Sequence, residues 1–377
     1  MRWLTNVRLP AMPGLWRIVV DADDCIRELE VLPSGSAAAG ENWQGDWLSP
    51  MGVDLQINGG LGLAFTELRS ADLPRLAELQ RLLWSDGVEA ICPTLVTCGI
   101  APLQQALEVL AEARQRTGPQ QCHLLGAHLE GPFLAHERRG AHPAQHLATP
   151  SVAALQERIG GFEADIALMT LAPELQGASE VITALKSLRV VASLGHSAAT
   201  EEQAAEAFAH GLGMVTHAFN AMGGLQHRNP GPLAAALRRG DVALGLIADG
   251  VHVAPSMAVL LLQWAPEQVV LVSDALAPYG LADGEHRWDE RLLIVADGSC
   301  RLEDGTLAGV TLPLLAGVSR LAGWGADPGR AIAAATVLPR RVLGDQRSPE
   351  TLLLDQPLGA ALRWRQGSKG LAWQWAT

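Results

Sequence analysis

From residue 50 onward the chain alternates short apolar runs with longer amphipathic stretches, and this rhythm most narrows its possible folds. Eight runs of strand length stand out, at 51–57, 88–97, 123–129, 166–171, 190–195, 214–218, 243–248 and 269–273. Between them lie segments such as 72–84, 101–116 and 201–210, rich in Ala, Leu and Glu, with apolar residues recurring every three or four positions. Eight strand–helix units predict an α/β fold, a (β/α)8 TIM-like barrel. The ends have a different texture. Residues 2–9 and 15–20, then 352–354, 361–364 and 371–375, read as strands. We expect 1–48 and 344–377 to meet in one small β-sandwich domain flanking a catalytic barrel at 49–343. Many of the tryptophans fall in these ends, and we read them as core. Gly, Ser and Ala at 34–40 mark a turn region, and 280–301 reads as an excursion after the eighth strand with a short strand at 291–296.

Composition excludes several classes of function. Of 377 residues, 48% are apolar and 18% charged, which fits a folded enzyme rather than a disordered chain. A net charge of -12 argues against non-specific binding to nucleic acid or anionic membranes. The five cysteines are scattered with no Cys-x-x-Cys pair, which fits a reducing cytoplasm better than a disulfide framework or a thiolate zinc site. With no signal-peptide core and no run approaching a membrane span, we expect a soluble cytoplasmic protein.

The chemistry gathers where apolar runs end. In a parallel α/β barrel, the carboxyl ends of the strands face the active site. The third run closes on His128-Leu129-Glu130-Gly131-Pro132, the fifth on Gly195-His196-Ser197, and the sixth on Thr216-His217-Ala218. One carboxylate and two imidazoles make a zinc-type catalytic set, three protein ligands with a position left for water. His128 alternates with Glu130 and is either a partner of that set or packing. Asp274 ends the eighth run, where a carboxylate is costly unless it has a task, such as accepting a proton from water. After the seventh run come Asp249 and His252; the histidine is a candidate for substrate or a second metal. Arg228 sits in a Pro-rich loop and suits phosphate, although a lone arginine is more often solvated. Asn220 and Ala221 offer an amide side chain and a backbone N–H.

Together these segments resemble the N-acetylglucosamine-6-phosphate deacetylases, a branch of the amidohydrolase superfamily. The marks are Asp54-Leu55-Gln56-Ile57-Asn58-Gly59, Pro93-Thr94-Leu95, His128 to Phe133, Gly195-His196-Ser197, Thr216 to Met222, Asp249-Gly250-Val251-His252 and Ser273-Asp274-Ala275. Each is weak alone, but their order and spacing together are highly specific over about 50–343. The resemblance implies a divalent metal on Glu130, His196 and His217, with Asp274 as general base and then acid. It implies that His142 polarises the acetyl carbonyl. Substrate contacts would come from Ala141, Asn220, Ala221, Arg228, Asp249, His252, Ala308, Gly309 and Val310. It also implies a homodimer in which Arg228 reaches the neighbouring site.

Gln56 and Asn58 stand where many amidohydrolases carry His-x-His and bind two metals. Amides are poor zinc ligands, so we expect one metal per subunit, with zinc first and iron, manganese or cobalt as alternatives. Val310 replaces the family's usual small hydroxyl residue, and the final strands lack the usual Gly-x-x-Ala-Asp-Leu pattern. The expected reaction removes acetate from N-acetylglucosamine 6-phosphate in amino-sugar catabolism. Alternatives are N-acetylgalactosamine 6-phosphate, a cyclic amide, or a silent barrel that only binds; the last is disfavoured by the joint presence of Glu130, His196, His217 and Asp274.

Overall fold

A computed structural model describes residues 1–33, 39–116, 118–288 and 291–377. Most of the turn region read at 34–40 lies outside the described residues.

The eight apolar runs form eight parallel strands around a barrel. Strand one (Gly52–Ile57) pairs with strand two (Val88–Val96), which pairs with strand three (Ala127–Glu130). Strands four (Ile166–Leu171), five (Val191–Leu194), six (Met214–Val215), seven (Ala243–Leu246) and eight (Val269–Leu271) follow in order. Closure comes just past strand eight. The Asp274 amide donates to Gln56 O at 2.8 Å, and the Asn58 amide to Ala275 O at 2.7 Å. The third run is broken: His123–Leu124 also pairs with strand two, and Gly126, at φ +133°, turns the chain before Ala127. Glu130 is the last residue of strand three.

Helices pack around the barrel through the spaced apolar residues. In Leu73–Ser85 the buried face is Leu76, Leu79, Gln80 and Leu83. The helix Glu201–His210 lies between strands five and six and begins with a capping box. Thr200 Oγ1 accepts from the Gln203 amide at 3.3 Å, and Gln203 Oε1 accepts from the Thr200 amide at 2.9 Å. No helix among the described residues is long and apolar enough to cross a membrane.

The two ends of the chain share a core. Arg2–Val7, Trp16–Val20, Ile26–Val31 and Glu41–Asn42 form one sheet, while Trp47–Ser49, Leu362–Gly367 and Gly370–Trp375 form another. Leu4, Val7, Ile18 and Trp43 from the first end pack against Leu353, Leu358 and Ala376 from the last. Trp16, Trp43, Trp47 and Trp364 are buried, whereas Trp3 is exposed, with Arg17 over its ring. One expectation is overturned: the leucines at 352–354 do not form a strand. Pro349–Leu353 is a short helix with Ser348 Oγ accepting from the Thr351 amide and Pro349 in the first turn. Three leucines in a row carry neither a two-residue nor a 3.6-residue period, so the Ser-Pro start signal decides.

The excursion after strand eight is a four-stranded antiparallel sheet of Gly284–Trp288, Arg291–Ala296, Ser299–Leu302 and Leu307–Val310. Its last strand joins the barrel mouth, where the Leu276 amide donates to Val310 O at 3.0 Å and the Val310 amide to Asp274 O at 3.2 Å.

Candidate active site

At the carboxyl ends of the strands lies a cavity of about 360 Å3, bordered by Asn58, Glu130, His142, His196, His217 and Asp274 among others. The backbone makes sharp turns there. His196 (φ +49°), His217 (φ +28°), Phe219 (φ +77°), Ala221 (φ +51°) and Asp274 (φ +50°) all sit in a region costly for residues with a Cβ. Just past strands five, six and eight, these turns leave His196, His217 and Asp274 bordering the mouth.

Glu130, His196 and His217 converge. Glu130 Oε1 is 3.1 Å from His196 Nε2 and 3.1 Å from His217 Nε2, and the two nitrogens are 3.1 Å apart. Each residue is nearly buried, 3–5% exposed. Four ligands at about 2.0–2.2 Å from a zinc-type ion stand roughly 3.3–3.5 Å from one another, so this triangle is close to the size a cation needs. The protons agree. His196 Nδ1 lies 2.9 Å from the Arg138 carbonyl, which can only accept, so the ring carries its proton there and turns a lone pair at Nε2 inward. Two nitrogens and a carboxylate oxygen meeting without enough protons to bridge them suit a metal. Burial opposes ionisation of Glu130, but the His196 and His217 imidazoles that face it outweigh burial and hold the carboxyl well below its usual range.

His142 stands beside this triangle. Its Nε2 is 3.8 Å from Glu130 Oε2, and ligand atoms of Glu130, His142 and His196 all lie within 4.8 Å of one another. The separations from His217 to Glu130 and His196 are shorter than that from His142 to Glu130. His142 Nδ1 lies 3.0 Å from Thr97 Oγ1, a hydroxyl also 3.0 Å from the Glu130 carbonyl. The Thr97 hydroxyl donates its one proton to that carbonyl, and the Thr97 amide points at the same His142 nitrogen across 3.4 Å, so Thr97 fixes the position of the ring from two sides. Burial and then the neighbouring His196 push the ring's pKa down to about 3, so it is neutral. Gly131, at φ +90°, completes this support; a Cβ there would stand 2.2 Å from Thr97 Oγ1.

Asp274 is held by the strand-one amides. Asn58 Nδ2 donates to its Oδ1 at 2.7 Å, and Gln56 Nε2 lies 3.2 Å from the same oxygen and 3.3 Å from Glu130 Oε1. The Gln56 amide therefore bridges the two carboxylates. Burial and then the negative Glu130 raise the Asp274 pKa to about 8. Beneath the site, His128 is packing. Its ring is wedged between Thr94 Oγ1 (3.1 Å) and Thr170 Oγ1 (2.8 Å), in a buried chain that runs on through Thr216 to Ser193.

Asn220, Ala221, His252, Ala141 and Ala308 also border the cavity. Asp249 serves His252: its Oδ2 lies 2.7 Å from His252 Nδ1, and its Oδ1 accepts from the Val251 and His252 amides. Arg228 is exposed and does not border the cavity of its own chain. Val310 is buried in the core rather than lining the site, and Gly309 is where the backbone passes close to Asp274, with a Cβ meeting Asp274 O at 2.7 Å. Thr97 and Glu174 escaped the sequence reading. Glu174 accepts from Ser197 Oγ at 2.7 Å and from the Ala198 amide at 2.6 Å, clamping the turn behind His196. Polar residues just beyond buried strands were the available signal for both.

No family model matches the chain. The chain is 37% identical over 319 residues to the N-acetylglucosamine-6-phosphate deacetylase of Bos taurus, a match covering 81% of this chain and 76% of that one. The chain belongs to the N-acetylglucosamine-6-phosphate deacetylase family. It is also 34% identical over 324 residues to the N-acetylgalactosamine-6-phosphate deacetylase of Escherichia coli O157:H7, covering 86% and 84% of the two chains. Among solved structures it resembles a mutant of the Mycobacterium smegmatis N-acetyl-D-glucosamine-6-phosphate deacetylase in complex with N-acetyl-D-glucosamine-6-phosphate, with a TM-score of 0.78, 29% identity, and coverage of 91% and 90%. Family membership accords with the barrel, with the terminal sheets and with a buried Glu/His/His cluster suited to metal.

Proposed function

We propose that this chain hydrolyses N-acetylglucosamine 6-phosphate to glucosamine 6-phosphate and acetate. The observation that carries the reading is the convergence of Glu130, His196 and His217 beside Asp274 at the barrel mouth, in a chain of this family. Glu130, His196 and His217 would hold one divalent ion, zinc first among the candidates. Such an ion lowers the pKa of a water and polarises an acyl oxygen.

The protein's own groups do the rest. Asp274 takes the attacking water's proton and returns it to the departing amine. His142 polarises the acetyl oxygen that gains charge, its ring held in place by Thr97. Asn220, Ala221 and His252 meet the sugar phosphate from the side of strands six and seven. Gln56 and Asn58 hold Asp274 in place, and the position of Gln56 between the carboxylates supports a single-metal site. Arg228 reaches the phosphate of a neighbouring subunit in a homodimer, which its exposure away from its own cavity allows. Five unpaired cysteines fit a cytoplasmic enzyme.

The 34% identity to a galactosamine-type relative favours a second reading, the C4 epimer of the same substrate. A panel of N-acetylated sugars, with and without 6-phosphate and in both epimers, scored by acetate release alongside metal analysis, tests both. Acetate from the phosphorylated gluco sugar is expected; absence of acetate from every sugar by metal-loaded protein would refute the assignment.

A further inference from the structure

The cavity has two chemically different sides. Asn220, Ala221 and His252 stand on the side of strands six and seven. Val96 at the end of strand two, Leu276 two residues past Asp274, Ala308, and Trp288 from the antiparallel sheet border it elsewhere. These four belong to one apolar cluster with Leu293 and Val295 behind them. Trp288 is 4% exposed and braced: the Arg291 guanidinium lies 4.1 Å from its ring centroid and donates to the carbonyl of Ala141, beside His142. The ring is therefore a fixed surface tied to the segment that carries His142.

We propose that Trp288, with Val96, Leu276 and Ala308, closes an acyl-chain subsite that restricts this enzyme to short acyl groups. The inference rests on the amidase reading above. An amide carbonyl has three directions. Its oxygen faces His142 and the metal ligands, and its nitrogen leads to the sugar on the side of strands six and seven. The acyl carbon must take the remaining direction, towards the apolar wall beside Asp274. A rigid indole backed by packed aliphatic residues has no room to yield to a longer chain.

The test compares kcat/KM for N-acetyl-, N-propionyl- and N-butyryl-glucosamine 6-phosphate in the wild type, Trp288→Ala and Val96→Ala, with metal content and circular dichroism measured on each. The wild type is expected to lose roughly tenfold or more per added methylene, because each extra carbon must fit a filled site. Trp288→Ala is expected to raise the butyryl-to-acetyl ratio by about tenfold or more, and Val96→Ala, which widens the wall from the barrel side, to raise it by less. If Trp288→Ala fails to fold, the Val96→Ala ratio decides. An unchanged acyl ratio in folded, metal-loaded variants of an active enzyme overturns the subsite alone. So does an equal rise in KM for all three sugars, which would mark Trp288 as a sugar contact. A wild type that hydrolyses none of the three overturns the functional assignment and the subsite together.

Discussion

The ionisable residues at this site get their character from neighbours rather than from type. Asp274 and Glu130 are both buried carboxylates, yet one is pushed up and the other held down, because two imidazoles face Glu130 while Asp274 meets amides and a negative neighbour. Asp274→Asn keeps the Oδ1 contact to Asn58 but removes the proton acceptor. Its metal content should match the wild type while kcat falls by about 10²–10⁴-fold; turnover at the wild-type rate would remove the proposed base. Asp54 is a further buried carboxylate, accepting from the Gln56 amide at 3.1 Å and the Ser273 amide at 3.2 Å between strands one and eight. Burial raises its pKa from 3.8 to about 7. The folded state therefore binds its proton more tightly than the unfolded chain, and stability is lost as pH rises from about 4 to about 7. Asp54→Asn keeps an acceptor for both amides without the ionisation. Its stability relative to wild type should improve by up to roughly 1.4 kcal/mol per pH unit between pH 5 and 7, read by urea denaturation. A difference that stays flat with pH would show that folding does not raise the Asp54 pKa.

At the scale of the element, each strand orients its functional residue by ending in a tight turn, and each helix fixes where the next strand begins. Glu201–His210 separates the two strands that carry His196 and His217, and its capping box satisfies two amides at its start. Thr200→Ala should lower stability by about 1 kcal/mol in a denaturant titration and leave kcat within about twofold, since the helix is also held by the buried Ala204, Ala207 and Phe208. A large loss of metal affinity instead would mean the cap positions the histidines directly. The amphipathic helices were readable because a 3.6-residue period survives in the linear order. The helix Pro349–Leu353 was misread because it is too short and too uniformly apolar to show one.

The whole molecule is a barrel whose mouth is roofed by an inserted antiparallel sheet, with both chain ends folded into a second core. Arg228 belongs to this scale, because it is exposed and does not border its own chain's cavity. Arg228→Ala alone should weaken kcat/KM for the phosphorylated sugar and leave the unphosphorylated sugar unaffected. Mixing Arg228→Ala with Asp274→Asn protein, after dissociation and reassembly, should restore up to about a quarter of wild-type sites, because half the dimers of a random mixture carry one complete site. No recovery on mixing would place Arg228 in its own subunit's site or outside the site altogether.

Sequence by itself determined the eightfold alternation and which strands end in Glu130, His196, His217 and Asp274, since periodicity and residue type are local properties of the chain. It could not show that Gln56 and Asn58 reach Asp274 across 218 and 216 positions, or that Thr97 holds His142 across 45. Nor could it show that Trp288, packed in its own sheet's core, also borders the cavity. Those contacts exist only once the barrel closes. They join residues remote along the chain, and burial and hydrogen bonding between remote residues leave no period in the sequence to read.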